Sequence, residues 1–315
     1  MNAAPHLPVM LKEVLEHLSP EDGGVYVDGT FGAGGYSRAI LQAADCVVVA
    51  IDRDETALAA AEELKSQYPS RFKFVQGCFG DVAKHIAALG YDAVDGFVLD
   101  VGVSSMQLDQ AERGFSFRFD GPLDMRMGRA MGGETAADLV NGMDETELAN
   151  VIYNYGEERH SRRIAKAIVL RRAEKKFETT ADLANVVRGA VPGAFKSKID
   201  PATRTFQALR IAVNDELGEL ERALEASESV LKPEGRLVVV TFHSLEDRIV
   251  KTFMRDKAGP KKAVSRYAPI TDDAEQSAFE LLSRKAVLAS DDEISQNPRS
   301  RSAKLRAIKY KGAQQ

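Results

Sequence analysis

Val25-Tyr26-Val27-Asp28-Gly29-Thr30-Phe31-Gly32-Ala33-Gly34-Gly35-Tyr36-Ser37 is the stretch that decides the fold. An apolar run enters a turn with four glycines in seven positions and leaves into a helical pattern. That is the order strand, ligand-cradling turn, helix. Glycine lets backbone approach a ligand closely, and the helix start offers N–H groups to it. A tight turn alone would need fewer glycines. A triphosphate-binding loop would require Lys and then Ser or Thr after Gly34, where Gly35 and Tyr36 stand. The dinucleotide fingerprint would require Gly at position 37, which is Ser, so nicotinamide cofactors become a second choice.

Outward from this stretch, apolar runs bounded by turn residues recur at 46–51, 72–76 and 96–100, with helical patterns between them. With 25–28 they read as the parallel strands of βαβ units, covered by helices on both faces. Strand signals then stop until residue 236, and helical patterns at 136–153 and 161–175 mark an insertion. A further helix is predicted from near Pro201, capped by Asp200. Its buried stripe is Phe206, Leu209, Val213, Leu217, Leu220, Leu224 and Leu231, and Pro233 and Gly235 end it. A strand at 236–242 returns the chain to the sheet, and a last one is expected at 303–310. The polar segment 257–297 lacks periodicity and is expected to include a mobile loop over the sheet edge. The domains read as 1–108 and 215–315, two parts of one α/β domain, around an all-helical domain at 109–214.

The 315 residues suffice for two domains, and 44% hydrophobic with 28% charged residues excludes a disordered or fibrous class. No apolar run approaches the ~18 residues of a membrane span, and no basic stretch followed by an apolar one opens the chain, so an unexported protein without a membrane partner is expected. Cys46 and Cys78 match no zinc or redox spacing, no metal ligands are assigned, and a reducing cytoplasm fits. The net charge of −5 argues against a nucleic-acid partner only on average. Between Arg159 and Lys176 eight Lys or Arg face one acid, and from Ser295 to Gln315 six face none. Such stretches can meet phosphate.

Asp52, closing the second strand, stands where a carboxylate accepts both hydroxyls of a ribose. Phe79 follows the third strand, where an aromatic edge packs beside adenine. Asp100 ends the fourth, at the edge over which open α/β sheets bind ligands. For each there is a plainer reading: a helix-capping acid, a core Phe, a solvated strand terminus.

The chain resembles the bacterial small-subunit ribosomal RNA cytosine-N4 methyltransferase H family, also named MraW. The resemblance rests on Asp28 to Gly35, Val101 to Ser105 with Gln107-Leu108-Asp109, Glu112 to Phe117, Gly121 to Met127, Tyr155 to Arg159, Thr203 to Arg210 and Phe242 to Arg248, and so spans nearly the whole chain. It implies a Rossmann-like class I methyltransferase sheet with an inserted helical domain, and S-adenosyl-L-methionine as cofactor. The implied substrate is a cytidine in the decoding region of 16S rRNA, within the assembled small ribosomal subunit; a homodimer is compatible with it. The implied cofactor contacts are Gly34, Gly35, Tyr36, Asp52, Phe79, Asp100 and Gln107. Tyr36 stands where His is usual and Met106 where Pro is usual, which leaves cofactor binding intact if backbone atoms make the contact.

Cytosine N4 is a poor nucleophile because its lone pair is delocalised into the ring. Acceptors must bind its N–H groups while the nitrogen is held in line with the sulfur–methyl bond, about 3–3.5 Å from the carbon. DNA amino-methyltransferases use an Asp- or Ser-Pro-Pro-Tyr motif, whereas Asp100-Val101-Gly102-Val103 lacks the prolines and the aromatic. The expected catalytic residues are Asp100 and His243, with His243 or water taking the proton. A purely structural role for His243, orienting a loop, is the counter-reading. The basic cluster Arg159, Arg162, Arg163, Lys166, Arg171 and Arg172 is expected to meet phosphate, with Arg159, Arg162, Arg163 and Lys166 as the RNA contacts. Two rivals remain at this point: a nicotinamide oxidoreductase on the same sheet, and an RNA-binding assembly factor that has lost catalysis.

Overall fold

In the computed structural model, residues 8–193, 199–259 and 277–312 are described. The chain divides into two compact units, one of residues 1–102 with 217–315 and one of residues 103–216. The second unit thus begins at Val103 and ends at Glu216, rather than at 109 and 214.

The first unit is an eight-stranded sheet with helices on both faces. Its strands are β1 (Val25–Asp28), β2 (Val47–Asp52), β3 (Phe72–Gln76), β4 (Val94–Asp100), β5 (Leu231–Thr241), β6 (Phe279–Leu281), β7 (Val287–Leu288) and β8 (Lys304–Tyr310). They lie in the order β3-β2-β1-β4-β5-β8-β6, with β7 also paired to β8. Strands β1 to β5 are parallel, and β8 runs antiparallel to both β5 and β6.

The near-continuous apolar runs follow from this geometry. Successive side chains of a strand point to opposite faces. Tyr26, Val48, Ala50, Val98, Val238 and Val240 enter one core, and Val25, Val27, Val49, Ile51, Leu99 and Val239 the other. The first core receives Val14 and Leu18 of α1 (Leu11–Leu18), Ile40 and Leu41 of α2 (Gly35–Ala43), and Leu64 of α3 (Leu58–Gln67). The second receives Val82 and Ile86 of α4 (Val82–Ala88), with residues from two later helices. Each fully buried side chain of this kind contributes roughly 1.5–3 kcal/mol.

The second unit contains α5 (Ser105–Asp109), α6 (Ala136–Gly142), α7 (Glu145–Gly156), α8 (Ser161–Glu174), α9 (Thr180–Ala190) and α10 (Ala202–Asn214). It has its own core, built on Leu123, Met125, Val140, Leu148, Ile152, Ile164, Ile168, Phe177, Leu183 and Leu209. Asn214 ties a long loop to this core: its Oδ1 accepts from Met127 N (2.8 Å) and its Nδ2 donates to the Met125 carbonyl (2.8 Å).

Three expectations are corrected. The pattern at 136–153 is two helices, because Asp144 starts a new one: its side chain accepts from Glu147 N while Glu147 reaches back to Asp144 N, a capping box. The helix predicted from Pro201 to Leu231 breaks at Asp215, which adopts a left-handed conformation (φ 48°) between α10 and α11 (Glu216–Val230). Asp200 does serve its start, accepting from Ala202 N at 2.9 Å. Leu231 already pairs with Val94, so β5 opens before Pro233, with a register shift before the pairing resumes at Arg236. Third, the segment 257–297 is not simply a loop. The helix α12 (Ser244–Ala258) runs into it, and β6, β7 and α13 (Asp291–Gln296) follow; residues 260–276, where the rest of the expected loop falls, lie outside the described residues.

Candidate active site

The site is built on the carboxyl ends of β1, β2 and β4. Asp28, fully buried at the end of β1, accepts from Thr30 N (3.2 Å) and from Ser37 N and Oγ (3.1 and 2.7 Å). It therefore ties the strand to the first turn of α2 and sets the shape of the glycine turn. Burial pushes its carboxyl up to about 6, against those hydrogen bonds and with the Asp52 charge adding to the rise. Asp28 is a functional position that sequence reasoning misses, although a carboxylate closing an apolar strand before a glycine turn is a visible signal.

Gly34, the N-cap of α2, has φ 80°, and a Cβ there would fall 2.9 Å from the Phe31 ring. At Gly35 a Cβ would fall 2.7 Å from Pro8. Part of the glycine content thus answers to packing within the chain as well as to room for a ligand. Tyr36 is 4% exposed and its hydroxyl donates to the Val9 carbonyl, so its side chain is committed to the core. Only its backbone at the helix start is left for a ligand, so His is not required there.

Asp52 Oδ2 accepts from Gly32 N at 2.7 Å and Oδ1 from Asp54 N at 2.8 Å. The carboxylate is locked to the glycine turn on one side and to its own loop on the other. An ionised carboxylate has about four acceptor sites, so capacity remains for two ribose hydroxyls. Burial raises its pKa. Phe79 opens a 3₁₀ turn (Phe79–Asp81) after β3, half-buried against the second core.

Asp100 carries the most pronounced electrostatic feature. Its backbone N donates to Thr30 Oγ1 at 2.7 Å, while its side-chain Oδ1 is enclosed and has no hydrogen-bond partner among the described residues. As a residue Asp100 is only half-buried, but the pKa follows the enclosed oxygen: burial, then the Asp28 and Glu246 charges, push the carboxyl up to about 8. A cation or an N–H donor is what this oxygen lacks.

His243 is the N-cap of α12. Glu246, 2% exposed, accepts from Phe242 N (2.8 Å) and His243 N (3.1 Å) on Oε2 and places Oε1 2.8 Å from His243 Nε2, without the alignment of a hydrogen bond. His243 Nδ1 is enclosed and unpartnered among the described residues. The structural reading of His243 thus has a firm basis, and one ring nitrogen is still available. Gln107 belongs to α5 in the second unit, where its Oε1 accepts from Ser104 N at 3.0 Å.

The basic cluster divides. Arg159, Arg162, Arg163 and Lys166 are exposed, and Arg162, Arg163 and Lys166 form no ion pair among the described residues. Arg171 instead pairs with Asp182 (2.8 Å) and donates to the Lys175 carbonyl, and Arg172 donates to the Val140 carbonyl (2.7 Å). Those two hold the second unit together.

A parallel sheet whose antiparallel β8 lies between β5 and β6, with a glycine turn after β1 and an acid closing β2, is the class I sheet of S-adenosylmethionine-dependent methyltransferases. The enclosed Asp100 oxygen, short of a cation, fits a sulfonium cofactor. The chain belongs to the MraW methylase family, whose model matches residues 3–311. It is 59% identical over 313 residues to the ribosomal RNA small subunit methyltransferase H of Rhodospirillum rubrum, covering 98% of this chain and 95% of that one. Proteins of the same name from Maricaulis maris (59% identity, 98% and 91% covered) and Bradyrhizobium diazoefficiens (57%, 99% and 94%) are similar along their length. This removes the oxidoreductase reading. No helix among the described residues is long and apolar enough to cross a membrane.

Proposed function

We propose that the protein methylates N4 of a cytidine in the decoding region of 16S rRNA, in the cytoplasm, with the small ribosomal subunit as substrate. The relatives' name supports the RNA class, and the family resemblance supports the base and its position. The observation that carries the chemistry is Asp100 Oδ1, an enclosed acceptor without a donor among the described residues, on a strand end tied to Thr30 of the glycine turn.

In this reading the cofactor, held by Gly34, Gly35, Tyr36 backbone, Asp52 and Phe79, supplies an electrophilic methyl group on a sulfonium. Asp100 accepts from the amino group of the flipped base, drawing its lone pair out of conjugation. The enclosure of Asp100 makes this acceptor strong once ionised, because water does not compete for it. His243, held through Glu246, offers Nδ1 to the departing proton, directly or through water. The exposed stripe Arg159, Arg162, Arg163 and Lys166 meets phosphate and gives the RNA affinity its salt dependence.

Mass-spectrometric nucleoside analysis of small-subunit RNA from a strain lacking the gene tests this. N4-methylated cytidine disappears and returns with the wild-type gene but not with Asp100→Ala; a strain that keeps the modification overturns the assignment. Methyl transfer to naked 16S RNA as fast as to assembled subunits would overturn the choice of substrate state.

A further inference from the structure

Glu219 is buried on α11, 1% exposed, and the methyl-transfer chemistry does not use it. Its two carboxylate oxygens reach two different loops at the ligand edge of the sheet. Oε2 forms an ion pair with Arg53, the residue after Asp52, and Oε1 accepts from Gly80 N at 3.4 Å, the residue after Phe79. The approach is close: a Cβ on Gly80 would fall 3.0 Å from Glu219 Cγ and 3.1 Å from the Glu219 carbonyl oxygen. Arg53 is itself largely buried, its side chain 15% exposed.

We infer that Glu219 is a positioning residue for the cofactor, one carboxylate that fixes the distance between the loop bearing Asp52 and the loop bearing Phe79. The inference rests on the reading of those two residues as the ribose and adenine contacts. A strand fixes where its loop begins but not where the next residue points. Asp52 is the last residue of β2 and pairs with Gln76 of β3, whereas Arg53 on one side and Phe79 on the other lie beyond that pair, where the ladder no longer holds them. The hydrogen bond from Gly77 N to the Asp52 carbonyl (2.9 Å) continues it by one step. Further along, Glu219 takes over from a helix on the sheet face, and the buried pair with Arg53 gives it direction that a neutral contact would lack. A slot whose width is set this way discriminates by fit: the nucleoside enters between two walls with a fixed separation.

Calorimetric titration with S-adenosylhomocysteine, together with steady-state kinetics, tests the inference on the full chain. Glu219→Gln keeps the side-chain shape and an acceptor for Gly80 but loses the charge facing Arg53. Affinity is expected to fall about tenfold, the loss of one charge-assisted hydrogen bond. The KM for S-adenosylmethionine rises in step, while kcat at saturating cofactor and the KM for RNA stay within about twofold, a split that general destabilisation would not produce. Arg53→Lys, which keeps the charge but not the planar fork, weakens binding in the same direction by a smaller factor and serves if Glu219→Gln fails to fold. Glu221→Gln, exposed on the same helix, is the neutral control. Asp52→Ala separates the two levels. If it weakens binding while Glu219→Gln and Arg53→Lys bind as the parent does, the positioning role is overturned and the nucleoside site stands. If Asp52→Ala also binds as the parent does, the nucleoside site itself is misplaced.

Discussion

Asp100 shows what one unpartnered oxygen does to a protein's response to pH. Its carboxyl is raised to about 8 in the fold and lies near the ordinary 3.8 when unfolded. Between those values the unfolded chain releases a proton that the folded chain keeps, so stability falls as pH rises through this window and levels off above it. Asp28, raised to about 6, acts in the same direction over a narrower range. Asp100→Asn therefore melts higher than the parent at pH 8, by about 2–4 °C for each kcal/mol relieved, and close to it near pH 4; differential scanning calorimetry of the ligand-free protein checks this. The charges around Asp100 come from Asp28 on β1 and Glu246 on α12, and burial, with the Asp100 charge added, holds the Tyr36 phenol on α2 well above its ordinary value. With the sulfonium beside Asp100, as proposed, the ionised form is favoured, so S-adenosylmethionine is expected to bind more tightly as pH rises from 6 toward 8, while S-adenosylhomocysteine, which lacks the sulfonium charge, responds less. Equal pH slopes for the two would remove Asp100 from the sulfonium's neighbourhood. At this scale the positions proposed for the cofactor stand out in the sequence because Asp52 and Asp100 each end an apolar run and Phe79 follows one. Asp28 and Glu219 are hidden for opposite reasons. Asp28 merges into a glycine motif, and Glu219 is one of several acids on a helix whose burial only the packing reveals.

Elements show where periodicity informs and where it misleads. The stripe from Phe206 to Leu224 has helical spacing on both sides of Asp215, so counting alone runs the two helices into one. The break is a single left-handed residue at φ 48°, which a non-glycine side chain adopts at a cost of about 1–2 kcal/mol, less for Asp than for most. Asp215→Gly is accordingly neutral or mildly stabilising in urea unfolding, and Asp215→Val destabilises by about 1–2 kcal/mol. The joint between α6 and α7 was open to reading from Asp144 and Glu147, whose spacing is that of a capping box. On α8 the sequence offers five equivalent basic residues, and the fold sorts them. Arg171→Ala and Arg172→Ala lower the melting temperature by breaking ties to Asp182 and Val140 while leaving the salt dependence of RNA binding alone. Arg162→Ala with Arg163→Ala does the reverse, reducing the slope of log affinity against log salt by up to about 2. Fluorescence titrations at several salt concentrations distinguish the two pairs, and a changed slope for Arg171→Ala would show that it faces RNA after all.

For the molecule as a whole, the alternation of strand and helix before residue 101 and the apolar run at 236–242 placed the sheet, and the long strandless interval placed the insertion. The pairing of β6 and β7 on β8 was not legible, because strands of three and two residues are too short to carry a periodic signal. The insertion has its own core and capped helices, so residues 103–216 expressed alone should give a helical circular-dichroism spectrum and a cooperative thermal transition; a featureless melt would show that its core depends on the sheet. The position of β8 has a consequence for birth rather than for catalysis. Strand β5 waits for a neighbour on its outer side until residues 304–310 have been made, roughly seventy codons later, whereas every residue of the inserted unit has been translated before β5 begins. On a ribosome adding about 5–20 residues per second, the inserted unit has several seconds to settle while its host is still an unfinished, open-edged ribbon exposed to chaperones.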